Sequence, residues 1–363
     1  MILSNRLDHT YLAYASEYED AALRVLRSGR YILGEEVNAF EKEFADYIGP
    51  GFSCVGLASG FDSLRLAVRI LDIGDGDEVI VQSNAYMATV TAITDNRAIP
   101  VFAEPENSFF LTAESIKKKI SVKTKAIIVT HLYGIMTPMN KITELCNECG
   151  LYLIEDCAQA HGCSFCTQKA GSFGTIGCFS FYPTKNLGAF GDGGAVTVKD
   201  ECLAEKFRIY RNYGFDRYGN SVLSGVNSRL DELQAALLRV KLTHLEQINK
   251  EKKELADFYL NNITNPKIIL PSVEPFTNNI WHQFVIRSDE RDNLKKYMAS
   301  HGIETTIHYP VPPHLSPTLS YLGFKRGDYP IAEKLANSVL SLPTYIGMTD
   351  EEKRRVVNCV NSF

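Results

Sequence analysis

Two periods alternate along the chain from Asp77 onward. DEVIVQS, AIPVFAEP, TKAIIVTHLYG and LYLIEDCAQA are short apolar runs of strand length. Between them, AYMATVTAIT, Thr112 to Ile120 and Pro138 to Cys149 repeat their apolar positions at helical spacing. Upstream, helices are predicted over Tyr18 to Ser28 and over Glu36 to Ile48, where Val37, Phe40, Phe44, Tyr47 and Ile48 share one face. A strand, CVGLA, then leads into a helix opened by Ser59 and Gly60, with Leu64, Ala67, Val68 and Leu71 on its apolar side. The run TKAIIVT is too apolar for either of its faces to meet water, as in a parallel sheet covered on both sides. This rhythm predicts an α/β fold whose mostly parallel central sheet is flanked by helices.

Beyond Gly177 the pattern changes. GCFSFYPTKNLGAFGDGGAVTV has strand-like residues at both ends and a glycine-rich turn between them that carries one lysine, Lys185. Helices follow over Asp200 to Tyr213 and Arg229 to about Ile248, with helical spacing continuing from Lys250 to Asn261. Charge rises between Thr243 and Glu251, which places a boundary there. Residues 1–245 are expected to form a large α/β domain and residues 246–363 a smaller C-terminal α+β domain. The second holds the strand WHQFVIR, a helix from Arg291 to His301, the strand-like ETTIHYP, the proline-rich VPPHLSP and a helix from Tyr329 to Leu340.

Composition narrows the function classes. With 363 residues, 45% hydrophobic and 22% charged, the chain has the make-up of a soluble globular protein. A formal net charge of -5 argues against general nucleic-acid binding. The start MILSNRLDHTYLAY lacks the apolar core of a signal peptide, and no apolar run reaches membrane-spanning length. A cytoplasmic protein is expected. The nine cysteines include two C-x-x-C pairs, Cys146/Cys149 and Cys163/Cys166. The first pair ends an amphipathic helix and a buried strand separates the two, so free thiols in a reducing compartment are expected, with no metal.

Lys185 has two readings on its own stretch: a Schiff-base lysine holding an aldehyde cofactor, or a solvated lysine on a surface hairpin. Three other features bear on the choice. Ser59 and Gly60 open a helix whose free N–H groups suit a phosphate, or simply cap it. Tyr86 is an aromatic just after a strand. Asp156 ends the apolar run LYLIE, at the edge where α/β proteins bind ligands, with Gln159 three residues on. Pyridoxal phosphate asks for all four: donors for its phosphate, an aromatic face for its ring, a carboxylate for its ring N–H and an amine for its aldehyde. No G-x-G-x-x-G occurs, which weakens a nicotinamide-dependent dehydrogenase.

The same residues carry a resemblance. SGRYILG, GDGDEVIV, HLYG, IEDCAQAHG, FSFYPTKNLGAFGDGGAV and NSRLDELQAA resemble the fold-type-I, pyridoxal-phosphate-dependent sugar aminotransferases of the DegT/StrS group, from about Ser28 to the C-terminus. The resemblance makes Lys185 the lysine that bonds the cofactor, Asp156 the partner of its ring nitrogen and Gln159 the neighbour of its ring hydroxyl. It also makes Tyr86 the stacking ring, and Ser180 with the Gly60 and Phe61 amides the phosphate site. Asn227 matches an asparagine reaching the phosphate from a second subunit, which implies a homodimer. The family usually has Asn-Gly-Thr where this chain has Ser59-Gly60-Phe61, so phosphate binding here is expected to rest on backbone N–H groups. Family members that are dehydratases have histidine in place of the lysine, and this chain keeps Lys185.

NAYMAT, RNYG, GVNSRLDELQAA and IHYPVPPH resemble the branch that aminates C-3 of nucleotide-linked 3-keto-6-deoxyhexoses. The implied reaction passes the amino group of L-glutamate to such a sugar nucleotide, with dTDP favoured, in deoxyamino-sugar biosynthesis for surface polysaccharide. Tyr182, His308, Tyr309 and His314 are the candidate sugar contacts. Arg30 and Arg217 are candidates for the diphosphate, Arg229 for the glutamate carboxylate, and His161 is expected to be structural. A C-4 aminotransferase and a non-catalytic cofactor-binding regulator on the same fold are the alternatives.

Overall fold

In the structure, a computed structural model describing residues 1–105 and 108–363, the alternating pattern closes into one seven-stranded sheet. Its strands are β1 (Ser53–Leu57), β2 (Glu78–Gln82), β3 (Ile99–Ala103), β4 (Thr124–Thr130), β5 (Tyr152–Asp156), β6 (Ile176–Ser180) and β7 (Gly194–Val198). They lie in the order β1-β7-β6-β5-β4-β2-β3. The β6-β5-β4-β2-β3 run is parallel, while β7 is antiparallel to both its neighbours. The chain returns from β6 to β7 through residues 181–193 without a crossover helix, so the pair must be antiparallel. That return loop carries Lys185.

Successive residues of β4 enter different cores: Ile127 and Val129 pack with Phe40, Phe44, Phe179 and Phe181 on one face, Ala126 and Ile128 with Val55, Val81 and Phe207 on the other. This is the physical content of the unbroken apolar run. A third core joins Phe284, Ile286, Leu340, Leu342, Tyr259 and Val356. Phe284–Arg287 and Val339–Leu342 pair there as an antiparallel ribbon against the helices Leu245–Asn262, Arg291–Ser300 and Asp350–Asn361. Ile2 belongs to this core, and its N–H donates to the Gly302 carbonyl at 2.8 Å. The first residues of the chain thus pack with the last hundred.

Several elements differ from the pattern reading. The helix expected from Tyr329 to Leu340 ends at Ser338, and Val339–Leu342 is a buried strand. The Arg291 guanidinium ends the helix by donating to the Ala336 and Val339 carbonyls at 3.1 and 3.2 Å. ETTIHYP makes one bridge, Thr306 with Ser341, and no strand. The helix expected from Arg229 starts at Glu232 and breaks at His244 before resuming at Leu245. That expected over Thr112 to Ile120 is confined to Ala113–Lys117. The C-terminal helix, Asp350–Asn361, was not expected; it opens with a capping box between Thr349 and Glu352.

Two buried carboxylates hold loops beside the sheet. Glu232 accepts the N–H groups of Gly34, Glu36 and Val37 at 2.7–2.9 Å. Glu155, in β5, accepts those of Gly171, Phe173 and Gly174 at 2.7–2.9 Å and lies 3.1 Å from His131 Nε2. Cys157 also lies within ligand distance of His131 and Glu155. With its oxygens already accepting these donors, Glu155 acts there as a loop anchor. Removing it strands one buried and two part-buried donors, so Glu155→Ala is expected to cost on the order of 3 kcal/mol of stability. Urea unfolding measures this; a change under about 1 kcal/mol contradicts the anchor role.

Candidate active site

The carboxyl ends of β4, β5 and β6 and the first turn of the helix Gly60–Ile70 open on one edge of the sheet, around a cavity of about 350 Å³. Ser59 is extended and caps that helix, its Oγ accepting from the Asp62 N–H at 3.1 Å. A Cβ on Gly60 would sit 2.3 Å from the Ser180 Cβ, and one on Gly194 would sit 2.3 Å from the Ser59 carbonyl carbon. Helix start, end of β6 and start of β7 therefore meet backbone to backbone, which only glycine allows here. Gly60 and Phe61 line the cavity beside Ser180.

Asp156 is buried at the end of β5. Its Oδ2 accepts the hydroxyls of Thr89 at 2.7 Å and Thr130 at 3.3 Å, while its Oδ1 accepts the Ala158 N–H at 3.2 Å. Lys185 lies in the same cavity and, among the described residues, makes no ion pair with it. Burial pushes the Lys185 amine down to about 8, with the Asp156 charge opposing the shift. The turn is fixed from several sides. Lys185 N–H donates to the Tyr182 carbonyl at 2.9 Å, and Asn186 Nδ2 donates to Asn249 Oδ1 at 2.8 Å and to the Ile280 carbonyl at 3.1 Å.

Gln159 Oε1 accepts the Tyr133 N–H at 2.6 Å, and its Nε2 donates to the Tyr309 hydroxyl at 3.1 Å. The Tyr309 and Tyr86 rings face each other, centroids 4.9 Å apart. His308 stands between Ser341 Oγ, 2.8 Å from its Nδ1, and Gln283 Nε2, 2.9 Å from its Nε2. Burial pushes His308 down to about 4, helped by the nearby Lys185 charge. At neutral pH it is an uncharged hydrogen-bonding group. Tyr182 is half exposed at the rim.

The cavity thus gathers Gly60, Phe61, Tyr86, Asp156, Gln159, Ser180, Tyr182, Lys185, His308 and Tyr309. Other expected residues lie outside it. His314 is buried, its Nε2 3.1 Å from Glu333 Oε1 and its ring against Tyr329. That is a packing position, reached because Pro313 begins a short 3-10 turn that directs the next residue inward. Asn227 is exposed and donates to the Tyr213 hydroxyl at 3.1 Å. Arg30 is exposed and donates to the Leu33 carbonyl at 3.2 Å. Arg217 is exposed over the Tyr218 ring, and Arg229 donates to Asn212 Oδ1 at 3.0 Å. His161 is buried between Phe179 and Phe181, and burial holds its ring neutral by pushing its pKa down to about 3.

Sequence reasoning missed Thr89, Thr130, His282 and Gln283, which also line the cavity. Thr130 ends β4, so the strand-end rule that selects Asp156 would have found it. Thr89 reaches a carboxylate 67 residues away and leaves no local signal.

These residues fit pyridoxal phosphate. A largely desolvated amine, a carboxylate whose Oδ1 accepts only one backbone N–H among the described residues, an aromatic face and a helix N-terminus converge on one cavity. The depressed amine gives a test: cofactor-free enzyme should recombine with pyridoxal phosphate at a rate that rises with pH about a midpoint near 8. Stopped-flow absorbance measures it; a midpoint at the ordinary lysine value, above about 10, contradicts the placement.

Comparison with known proteins agrees with this geometry. Residues 13–361 match the model of the DegT/DnrJ/EryC1/StrS aminotransferase family. A dTDP-3-amino-3,6-dideoxy-alpha-D-galactopyranose transaminase of Aneurinibacillus thermoaerophilus is 46% identical over 97% of this chain and 96% of its own. A dTDP-3-amino-3,4,6-trideoxy-alpha-D-glucose transaminase of Streptomyces venezuelae is 43% identical over 98% of this chain and 94% of its own. The crystal structure of S. venezuelae DesV in complex with a ketimine intermediate superposes with a TM-score of 0.97 at 42% identity, covering 99% of this chain and 98% of that one. The chain is a member of the DegT/DnrJ/EryC1/StrS aminotransferase family, an enzyme whose cofactor is pyridoxal phosphate.

Proposed function

We propose that the enzyme moves the amino group of L-glutamate to C-3 of a dTDP-linked 3-keto-6-deoxyhexose, releasing 2-oxoglutarate, in deoxyamino-sugar biosynthesis. The observation that carries this reading is near-full-length identity of 46% and 43% to two relatives named as transaminases of dTDP-3-amino sugars. The cavity supports it with the retained Lys185 and with His308 and Tyr309 from IHYP on its wall.

The contacts support the following residue roles. Pyridoxal phosphate, when bound, supplies an electron sink that lets the carbon bearing nitrogen give up a proton. Lys185 Nζ would hold the cofactor covalently and, once freed by the incoming amine, would be the base that takes the proton from Cα of glutamate and, in the second half-reaction, the acid that returns one to C-3 of the sugar. Asp156, oriented by Thr89 and Thr130, accepts the ring N–H. The Gly60 and Phe61 N–H groups with Ser180 take the phosphate. Tyr86 would cover the ring, Gln159 would meet its hydroxyl, and Tyr182, His308 and Tyr309 would contact the hexose.

We assign Asn227 to the cavity of a second subunit, in a homodimer. Asn227 lies outside its own chain's cavity and bonds the exposed Tyr213, whose ring meets that of the exposed Phe215, an apolar surface that a partner would cover. Arg30 and Arg217 would meet the sugar nucleotide diphosphate on that side. The division into residues 1–245 and 246–363 is supported by the separate third core, which Ile2, Phe109, Phe110, Leu132, Tyr133 and Ile135 join from the larger unit. A cytoplasmic location is supported by nine unpaired cysteines; no described helix is long and apolar enough to cross a membrane.

Incubation with L-glutamate and 3-keto or 4-keto dTDP-6-deoxyhexoses, with NMR locating the new amine, tests the reading. Amination at C-3 is expected; amination at C-4 refutes the regiochemistry, and no turnover of either sugar favours a cofactor-binding regulator. Lys185→Ala should lose the lysine-linked visible absorbance band and more than about 1000-fold in rate.

A further inference from the structure

A second cavity, about 20 Å³, lies against the same loop. It is lined by Thr184, Lys185 and Asn186 on one side and by Lys241 and Lys252 on the other, with Thr10 of the N-terminal segment at its edge. Lys241 and Lys252 sit on consecutive helices, and they are only 3% and 6% exposed. Lys241 Nζ lies 3.2 Å from the Gly188 carbonyl oxygen and 3.5 Å from that of Lys185. Lys252 Nζ lies 3.3 Å from the His282 carbonyl oxygen and 3.4 Å from that of Thr344.

Each ammonium has three protons to donate and, among the described residues, only these two long contacts to neutral carbonyls. Among the described residues neither forms an ion pair with a carboxylate. Two amines buried side by side without a counter-charge carry a large desolvation cost. The cost shows in both: burial drives Lys241 down to about 7, with the Lys252 charge adding to the shift, and drives Lys252 down to about 8. The cavity has room for one water-sized occupant, so sulfate and phosphate are too large.

We propose that this cavity binds one small monovalent anion, a halide, held between the ammonium groups of Lys241 and Lys252. Bound there, the anion supplies the missing counter-charge and locks the loop whose carbonyls Lys241 already touches. The site does not depend on which sugar the enzyme aminates.

Crystals of the cofactor-loaded enzyme soaked in bromide should show an anomalous peak between Lys241 Nζ and Lys252 Nζ. In solution at pH 6, where both amines are protonated, bromide should raise the melting temperature by a few degrees over gluconate at equal ionic strength, through binding to the folded state alone. Lys241→Met should lose that difference. A water without anomalous signal at the site overturns the proposal, as does an equal halide response in Lys241→Met. If that variant does not fold, the anomalous map of the wild-type enzyme decides.

Discussion

The Lys185 amine gives up most of its water on entering the sheet edge, and among the described residues no carboxylate bonds to it in return. Had Asp156 paired with it directly, the ammonium would be stabilised and the nucleophile lost. Instead Asp156 is saturated on one oxygen by the hydroxyls of Thr89 and Thr130, and its charge acts on the lysine only at a distance. The two groups share a cavity, each poised for a third party. An electron-withdrawing ring that needs an amine at one end and a carboxylate at the other fits between them.

Topology makes that spacing possible. Parallel strands bring Thr130, Asp156 and Ser180 to one edge, and the reversed β7 returns the chain there without a helix. The close approaches of Gly60 to Ser180 and of Gly194 to Ser59 then pin the helix-opening turn to the lysine hairpin. Beneath the hairpin lie Lys241 and Lys252, and among the described residues no carboxylate lines their cavity. Lys241 touches the loop carbonyls from below while Lys185 faces the cavity above. The loop is thus held by hydrogen bonds whose donors need a charge partner of their own.

Much of this was legible from residues alone. The parallel strands announce themselves as apolar runs, since both faces of the sheet are covered, and Asp156 follows from its position at a strand end. Other features depend on contacts distant in sequence. Val339–Leu342 reads as the end of a helix because its apolar residues fit either period; its pairing with Phe284–Arg287 decides. The break at His244 leaves no local mark, since neither glycine nor proline is present. His314, in a proline-rich stretch, looks like a loop residue, yet it packs against Phe102 and Tyr329, and only the tertiary fold brings those together. The anchors Glu155 and Glu232 look like ordinary charged positions until their backbone partners are known.

Three lysines with depressed amines lie near one another, and only Lys185 opens on the large cavity. Borohydride reduction of the cofactor-loaded enzyme, followed by proteolysis and mass spectrometry, tells them apart. The account predicts a single reduced pyridoxyl adduct, on Lys185. An adduct on Lys241 or Lys252, or none on Lys185, would contradict it.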